Sequence, residues 1–195
     1  YQTAAFGKWH LADENNGWTE HPQRVGFDNY AGILFGEPES YFGYSKVVDG
    51  EALPDGHTVY STTDIVNDAV NWLDHRDEDS PFFLWIAFNA PHTLFHLPPT
   101  DLLHSDARKL DPDAINDDNQ FEYYKAMIEA MDTEIGRLLA NLSDAERQNT
   151  YIVFMGDNGS PPQVAQAPFE RRHAKGSLYQ GGVNVPFMMT GPGIK

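Results

Sequence analysis

Two stretches of almost unbroken apolar residues constrain this chain more than anything else in it. They are Pro81-Phe82-Phe83-Leu84-Trp85-Ile86-Ala87-Phe88 and Thr150-Tyr151-Ile152-Val153-Phe154-Met155. Each has the length of a strand and is too short to span a membrane. Neither alternates polar with apolar, so each reads as a strand buried on both faces. Between them Phe121, Tyr124, Ile128, Met131, Ile135, Leu138 and Leu142 step by alternating threes and fours. That spacing predicts one long amphipathic helix with its stripe turned to the core. Ahead of the first run, Ser61-Thr62-Thr63-Asp64 offers capping chemistry. Ile65, Ala69 and Leu73, with Val66 and Val70, then carry an apolar helical face to about His75. Val183–Thr190 reads as a third strand. Residues 1–60 read as loops with short strands, and 97–118 as a loop.

Helix, buried strand, long helix, buried strand is the pattern of an α/β sheet covered by helices. In such sheets ligands collect at the carboxyl ends of the strands. Two polar clusters fall at those ends: Asn89-Ala90-Pro91-His92 and Gly156-Asp157-Asn158-Gly159. The 195 residues suffice for one ordinary domain, with 41% hydrophobic residues to build its core. The absence of cysteine excludes disulfides, thiolate metal sites and a cysteine nucleophile within the chain. The formal net charge of −16 argues against nucleic acid and against an anionic membrane surface. An anionic substrate would therefore need a local cluster of positive groups.

Candidates for such a cluster are few. In Gly7-Lys8-Trp9-His10, a lysine and a histidine two apart on extended backbone point the same way, able to hold an anion and move a proton. His92 at a strand tip reads equally as a site residue or as a satisfied structural histidine. Asp157 and Asn158 present oxygens that suit a hard cation such as calcium, and equally the turn chemistry of Asp, Asn and Gly. Arg171-Arg172-His173-Ala174-Lys175-Gly176 is the one dense basic patch, a ligand loop or a solvated one.

Taken in order, Gly7-Lys8-Trp9-His10-Leu11, Gly26-Phe27-Asp28, Ala90-Pro91-His92, Ala130-Met131-Asp132, Gly156-Asp157-Asn158-Gly159 and the Lys175–Pro186 stretch resemble the type I sulfatases of the alkaline phosphatase superfamily. The resemblance runs the length of the chain. It implies an α/β fold with a mixed, largely parallel sheet sandwiched by helices, incomplete at both ends. Residues 1–195 would be part of a single catalytic domain without its amino-terminal nucleophile segment and carboxyl-terminal subdomain.

By resemblance, Lys8 contacts the sulfate and the nucleophile, and His10 hydrogen-bonds the nucleophile. His92 binds sulfate and assists the leaving oxygen, and Lys175 is a second sulfate-binding lysine. Asp157 and Asn158 are two ligands of a Ca2+ ion. The family nucleophile is a formylglycine made from Cys or Ser in a Cys/Ser-x-Pro-x-Arg motif, which these residues do not contain. Ser160-Pro161-Pro162-Gln163-Val164 has the proline but not the arginine. Gln180 stands where glutamate is common in the family and Asn184 where arginine is common.

The implied activity is hydrolysis of organic sulfate esters, of sulfated small molecules or carbohydrates. Carbohydrates are favoured by the aromatic-rich Gly26–Phe42 stretch, and a periplasmic or secreted location by the family. Two other readings remain: a phosphonate or phosphate ester hydrolase of the same superfamily, and a non-catalytic fragment that binds oxyanions or partners.

Overall fold

The computed structural model describes residues 1–54 and 57–194. The strands are β1 (Gln2–Lys8), β2 (Asn29–Ile33), β3 (Val47–Val48), β4 (Glu51–Ala52), β5 (Phe82–Ala87), β6 (Ile152–Met155) and β7 (Phe187–Thr190). The helices are α1 (His21–Arg24), α2 (Ser61–His75), α3 (Gln120–Asn141), α4 (Asp144–Gln148) and α5 (Gln180–Val183). One mixed sheet runs in the order β4-β3-β2-β1-β5, with β1 parallel to both β2 and β5. β6 and β7 form a separate antiparallel pair.

The fold is mixed α/β, as the element pattern predicts. Helix α2 follows its expected bounds closely because its apolar positions land on one face. Ile65, Val66, Ala69 and Leu73 pack with Ala4, Phe6 and Ala31 of β1 and β2, joined by Leu138 and Leu142 from the region of α3. Further along α3, Tyr123, Met127 and Met131 form a second cluster with Tyr41, Tyr60 and Phe95. Phe88 and Phe154, from the β5 and β6 regions, pack against it. Thus α3 bridges the two sheets on one side.

The continuous apolar character of the two runs predicts doubly buried strands that could lie side by side, and both points need correction. β5 pairs with β1 and β6 pairs with β7, not with each other. Burial alternates along both. Phe83 (48% exposed), Trp85 (51%) and Val153 (49%) face solvent, while Phe82, Leu84, Ile152 and Phe154 are partly covered. A continuous apolar run announces two covered faces, and the described residues cover one. β1 is also longer and more central than loops with short strands would imply. Apart from Phe6 its buried residues are small, Ala4, Ala5 and Gly7, so little hydrophobic signal marks it. The third strand begins at Phe187 rather than Val183, because Gln180–Val183 turns as α5.

Candidate functional site

The carboxyl ends of β1, β5 and β6 meet at one cleft. Lys8 closes β1, and Gly7 before it shows why that end is tight. Gly7 has φ +103°, and a Cβ there would stand 2.1 Å from the Ala87 carbonyl oxygen on β5. Only glycine lets the two strand ends come so close. After β5 the chain turns through Asn89-Ala90-Pro91-His92, with the His92 amide donating to the Asn89 carbonyl at 3.0 Å. After β6 it turns through Gly156–Gly159. A Cβ on Gly159 would fall 1.9 Å from the Gly181 carbonyl oxygen, so the turn lies directly on the α5 backbone. Its amide donates to the Gly182 carbonyl, and the Lys175 amide donates to the Ser160 carbonyl, at 3.0 Å. These contacts bring the Lys175 segment beside the β6 turn.

Lys8, Asn89, His92, Tyr124, Asp157, Asn158 and Lys175 all line this cleft, which encloses about 90 Å³. That is room for a small oxyanion and not for a sugar ring. Of the six residues singled out in the sequence, five meet here. His10 does not line the cleft. β1 ends at Lys8, His10 takes φ +59°, and its exposed ring lies against Gly36. The extended backbone expected to align His10 with Lys8 has already ended. Tyr124 and Asn89 also line the cleft; the sequence marks Asn89 only as part of a polar cluster at a strand end, and Tyr124 only as a core residue. Tyr124 sits in the apolar stripe, and Asn89 is the residue before the Ala-Pro-His motif.

The cleft is electrostatically distinctive. Among the described residues no carboxylate lies within ion-pair distance of Lys8 or Lys175. His92 has one: its Nδ1 is 3.3 Å from a Glu37 oxygen. Two uncommitted ammonium groups and an imidazole therefore share a small concavity in a strongly acidic chain. Of the basic patch, Arg172 is paired with Glu170 and is exposed, as is Arg171. A second hollow, lined by Asp144, Arg147, Gln148, Thr190 and Gly191, is wide and open, and Arg147 there is paired with Asp144.

Asp157 and Asn158 line the same cleft. Calcium takes roughly six to eight oxygen ligands. Among the described residues there is no group of three or more His, Cys, Asp or Glu that could hold a metal ion. The residues present do not by themselves make a calcium site.

A family model described as Sulfatase matches residues 1–195. An arylsulfatase of Klebsiella aerogenes is 25% identical over 285 aligned positions, covering 100% of this chain and 60% of its own length. A sulfatase of Formosa agariphila is 34% identical over 146 positions, covering 68% of this chain and 25% of its own. Among solved structures, the crystal structure of Ps i-CgsB superposes with TM-score 0.75 at 31% identity, over 99% of this chain and 45% of that one. A structure in complex with its substrate D-glucosamine-2-N,6-O-disulfate shares the fold, with TM-score 0.67 at 21% identity over 98% of this chain and 53% of that one. The chain thus spans only part of the relatives it matches. Among the described residues no helix is long and apolar enough to cross a membrane.

Proposed function

The chain belongs to the sulfatase family, and from that premise we propose that its cleft is the oxyanion-binding part of a site that hydrolyses organic sulfate esters. The observation that carries this reading is the meeting of Lys8 at the end of β1, His92 in the turn after β5 and Lys175 in the loop before α5 in one concavity. Cleavage of a sulfate ester spreads negative charge over oxygens, and preorganised cations oppose that charge where it develops. Lys8 and Lys175 hold the sulfate oxygens. His92 faces the ester oxygen and supplies the proton that lets the alcohol leave. His10, outside the cleft lining, stays a candidate for contact with the nucleophile.

Residues 1–195 form part of a single catalytic domain in this reading. By family resemblance the nucleophile would be a formylglycine, and Asp157 and Asn158 would be two ligands of a calcium ion that the described residues alone do not complete. Calcium, when bound, would screen charge on the sulfate. The small cleft takes the sulfate group itself, leaving the alcohol portion outside. A sulfated carbohydrate is the favoured substrate because relatives and fold neighbours include glycosaminoglycan and ulvan sulfatases. A periplasmic or secreted location fits such a substrate.

The test is competitive binding of 4-nitrophenyl sulfate and 4-nitrophenyl phosphate to the chain. The sulfate ester should bind in preference, and His92→Ala and Lys175→Ala should each weaken it about tenfold, the cost of one charged hydrogen bond. Preference for the phosphate ester would move the assignment to the phosphoester alternative. Affinity indifferent to both substitutions would remove the cleft from consideration.

A further inference from the structure

The His92 ring is held at one nitrogen. Its Nδ1 lies 3.0 Å from the Thr93 carbonyl oxygen, 3.2 Å from the Thr93 hydroxyl and 3.3 Å from a Glu37 carboxylate oxygen. Carbonyl and carboxylate oxygens only accept, so the hydrogen of a neutral ring belongs on Nδ1. Nε2 is then the nitrogen left for a ligand.

Glu37 reaches the ring because its segment is pinned on both sides of it. The chain leaves β2 at Ile33, buries Pro38, and buries Tyr41 at 2% exposure. The Tyr41 hydroxyl donates to the Asn89 carbonyl at 2.7 Å and toward the His92 carbonyl at 3.0 Å. Burial, helped by nearby Tyr60 and Glu37, pushes the Tyr41 hydroxyl far above its ordinary pKa, so it remains a donor. The loop between β2 and β3 therefore grips the His92 turn twice, through Tyr41 on the backbone and Glu37 on the ring. Glu37 does not line the cleft and is itself well exposed.

We propose that Glu37 is the positioning residue for His92, holding Nδ1–H so that Nε2 is aimed between Lys8 and Lys175, where the protonated ring donates Nε2–H to the anion. When His92 is protonated the same contact becomes an ion pair, which supports the cationic ring in place. A carboxylate behind a functional imidazole, fixing its tautomer and plane, is a general device of histidine sites. The proposal rests on the cleft being an oxyanion site, but the ring tautomer can be measured with no anion present.

The experiment is nitrogen-15 NMR of histidine-labelled chain at a pH where His92 is neutral, to read the tautomer, and then titration with inorganic sulfate at a lower pH where the ring is protonated. Wild type, Glu37→Ala and Glu37→Gln are compared. Wild type should show the Nδ1–H tautomer. Glu37→Ala should show exchange between tautomers and about a tenfold loss of sulfate affinity. Glu37→Gln, whose amide oxygen accepts the same hydrogen, should keep the Nδ1–H tautomer and most of the affinity. A residue that only maintained the fold would give no such split between alanine and glutamine. An Nε2–H ring in wild type, an unchanged ring in Glu37→Ala, or equal loss of the tautomer in both variants would overturn the proposal. If the tautomer responds as expected but wild type binds no sulfate, Glu37 positions His92 and the oxyanion reading of the cleft fails.

Discussion

His96 is a histidine whose charge the fold opposes. Its Nδ1 is 2.9 Å from the Leu94 carbonyl and its Nε2 is 3.1 Å from the Tyr60 hydroxyl, among the rings of Tyr41, Phe42 and Tyr60. Burial lowers its pKa, against a smaller raising effect of the Leu94 carbonyl. In the unfolded chain the ring titrates near ~6.5, so below that pH the unfolded state binds more protons. The stability His96 contributes is complete above the unfolded value and is lost progressively as pH falls from there through the lowered folded value. Urea denaturation between pH 7 and pH 5 should therefore show a steeper loss of stability for wild type than for His96→Gln. Equal slopes would mean that the ring is not buried as described. At this scale the sequence was legible only in part. Lys8, His92, Asp157, Asn158 and Lys175 were picked out because they sit in motifs that resemble a family, and the cleft contains all five. Glu37 escaped because nothing local marks it. It matters through a contact across 55 residues of chain, set by where Pro38 and Tyr41 are buried.

Among the elements, α2 carries a buried ionic knot at its first turns. Lys46, 4% exposed, places Nζ 2.7 Å from both Asp64 and Asp68. Tyr44 donates to Asp64 at 2.8 Å, and His57 Nε2 lies 2.9 Å from the other Asp64 oxygen. One carboxylate thus gathers the β2–α2 connection onto the helix. Asp64→Ala would leave Lys46 buried with a single partner that is itself partly exposed. Removing one member of a buried pair costs about 3–5 kcal/mol, and denaturant unfolding should show a loss near the lower end because Asp68 remains. A loss under about 1 kcal/mol, the range of an exposed pair, would contradict the burial described here. The helices were the most readable elements, since a three–four apolar stripe specifies them locally; the capping expected of Ser61–Asp64 is not made, because those residues lie inside α2 and its N-cap is Tyr60, with no side-chain cap. Strand partners were not readable. Thr150–Met155 has the same apolar character as Pro81–Phe88, and composition cannot say that one joins β1 and the other joins β7. β1 was passed over because Ala4, Ala5 and Gly7 carry little hydrophobic signal, although Ala4 and Ala5 are among the most buried residues in the chain.

Across the whole molecule, one side of the β5 and β6–β7 strands is open. Trp85, Met155 and Phe187 are each more than half exposed, and Met155 and Phe187, paired across the strands, lie on the face opposite Phe154, which packs toward α3. The apolar runs that first marked these strands therefore carry more hydrophobic surface than the described residues cover. The cleft lies at the strand ends rather than on that open face. Its making depends on backbone turns at Gly7 and Gly159, and on the segment from Arg171 to α5 returning to the β6 turn. That global arrangement explains why two lysines and a histidine distant in sequence stand together while the exposed Arg171 and Arg172, nearly adjacent to Lys175, take no part. The most direct measurement of the oxyanion site is a chemical-shift map of the backbone amides during titration with inorganic sulfate at low ionic strength. The perturbed amides should cluster at Lys8, at Asn89–His92, at Gly156–Ser160 and at Lys175, the ends of β1, β5 and β6 together with the segment that joins them. Perturbations confined to Arg171 and Arg172, or spread without focus over the surface, would contradict the site.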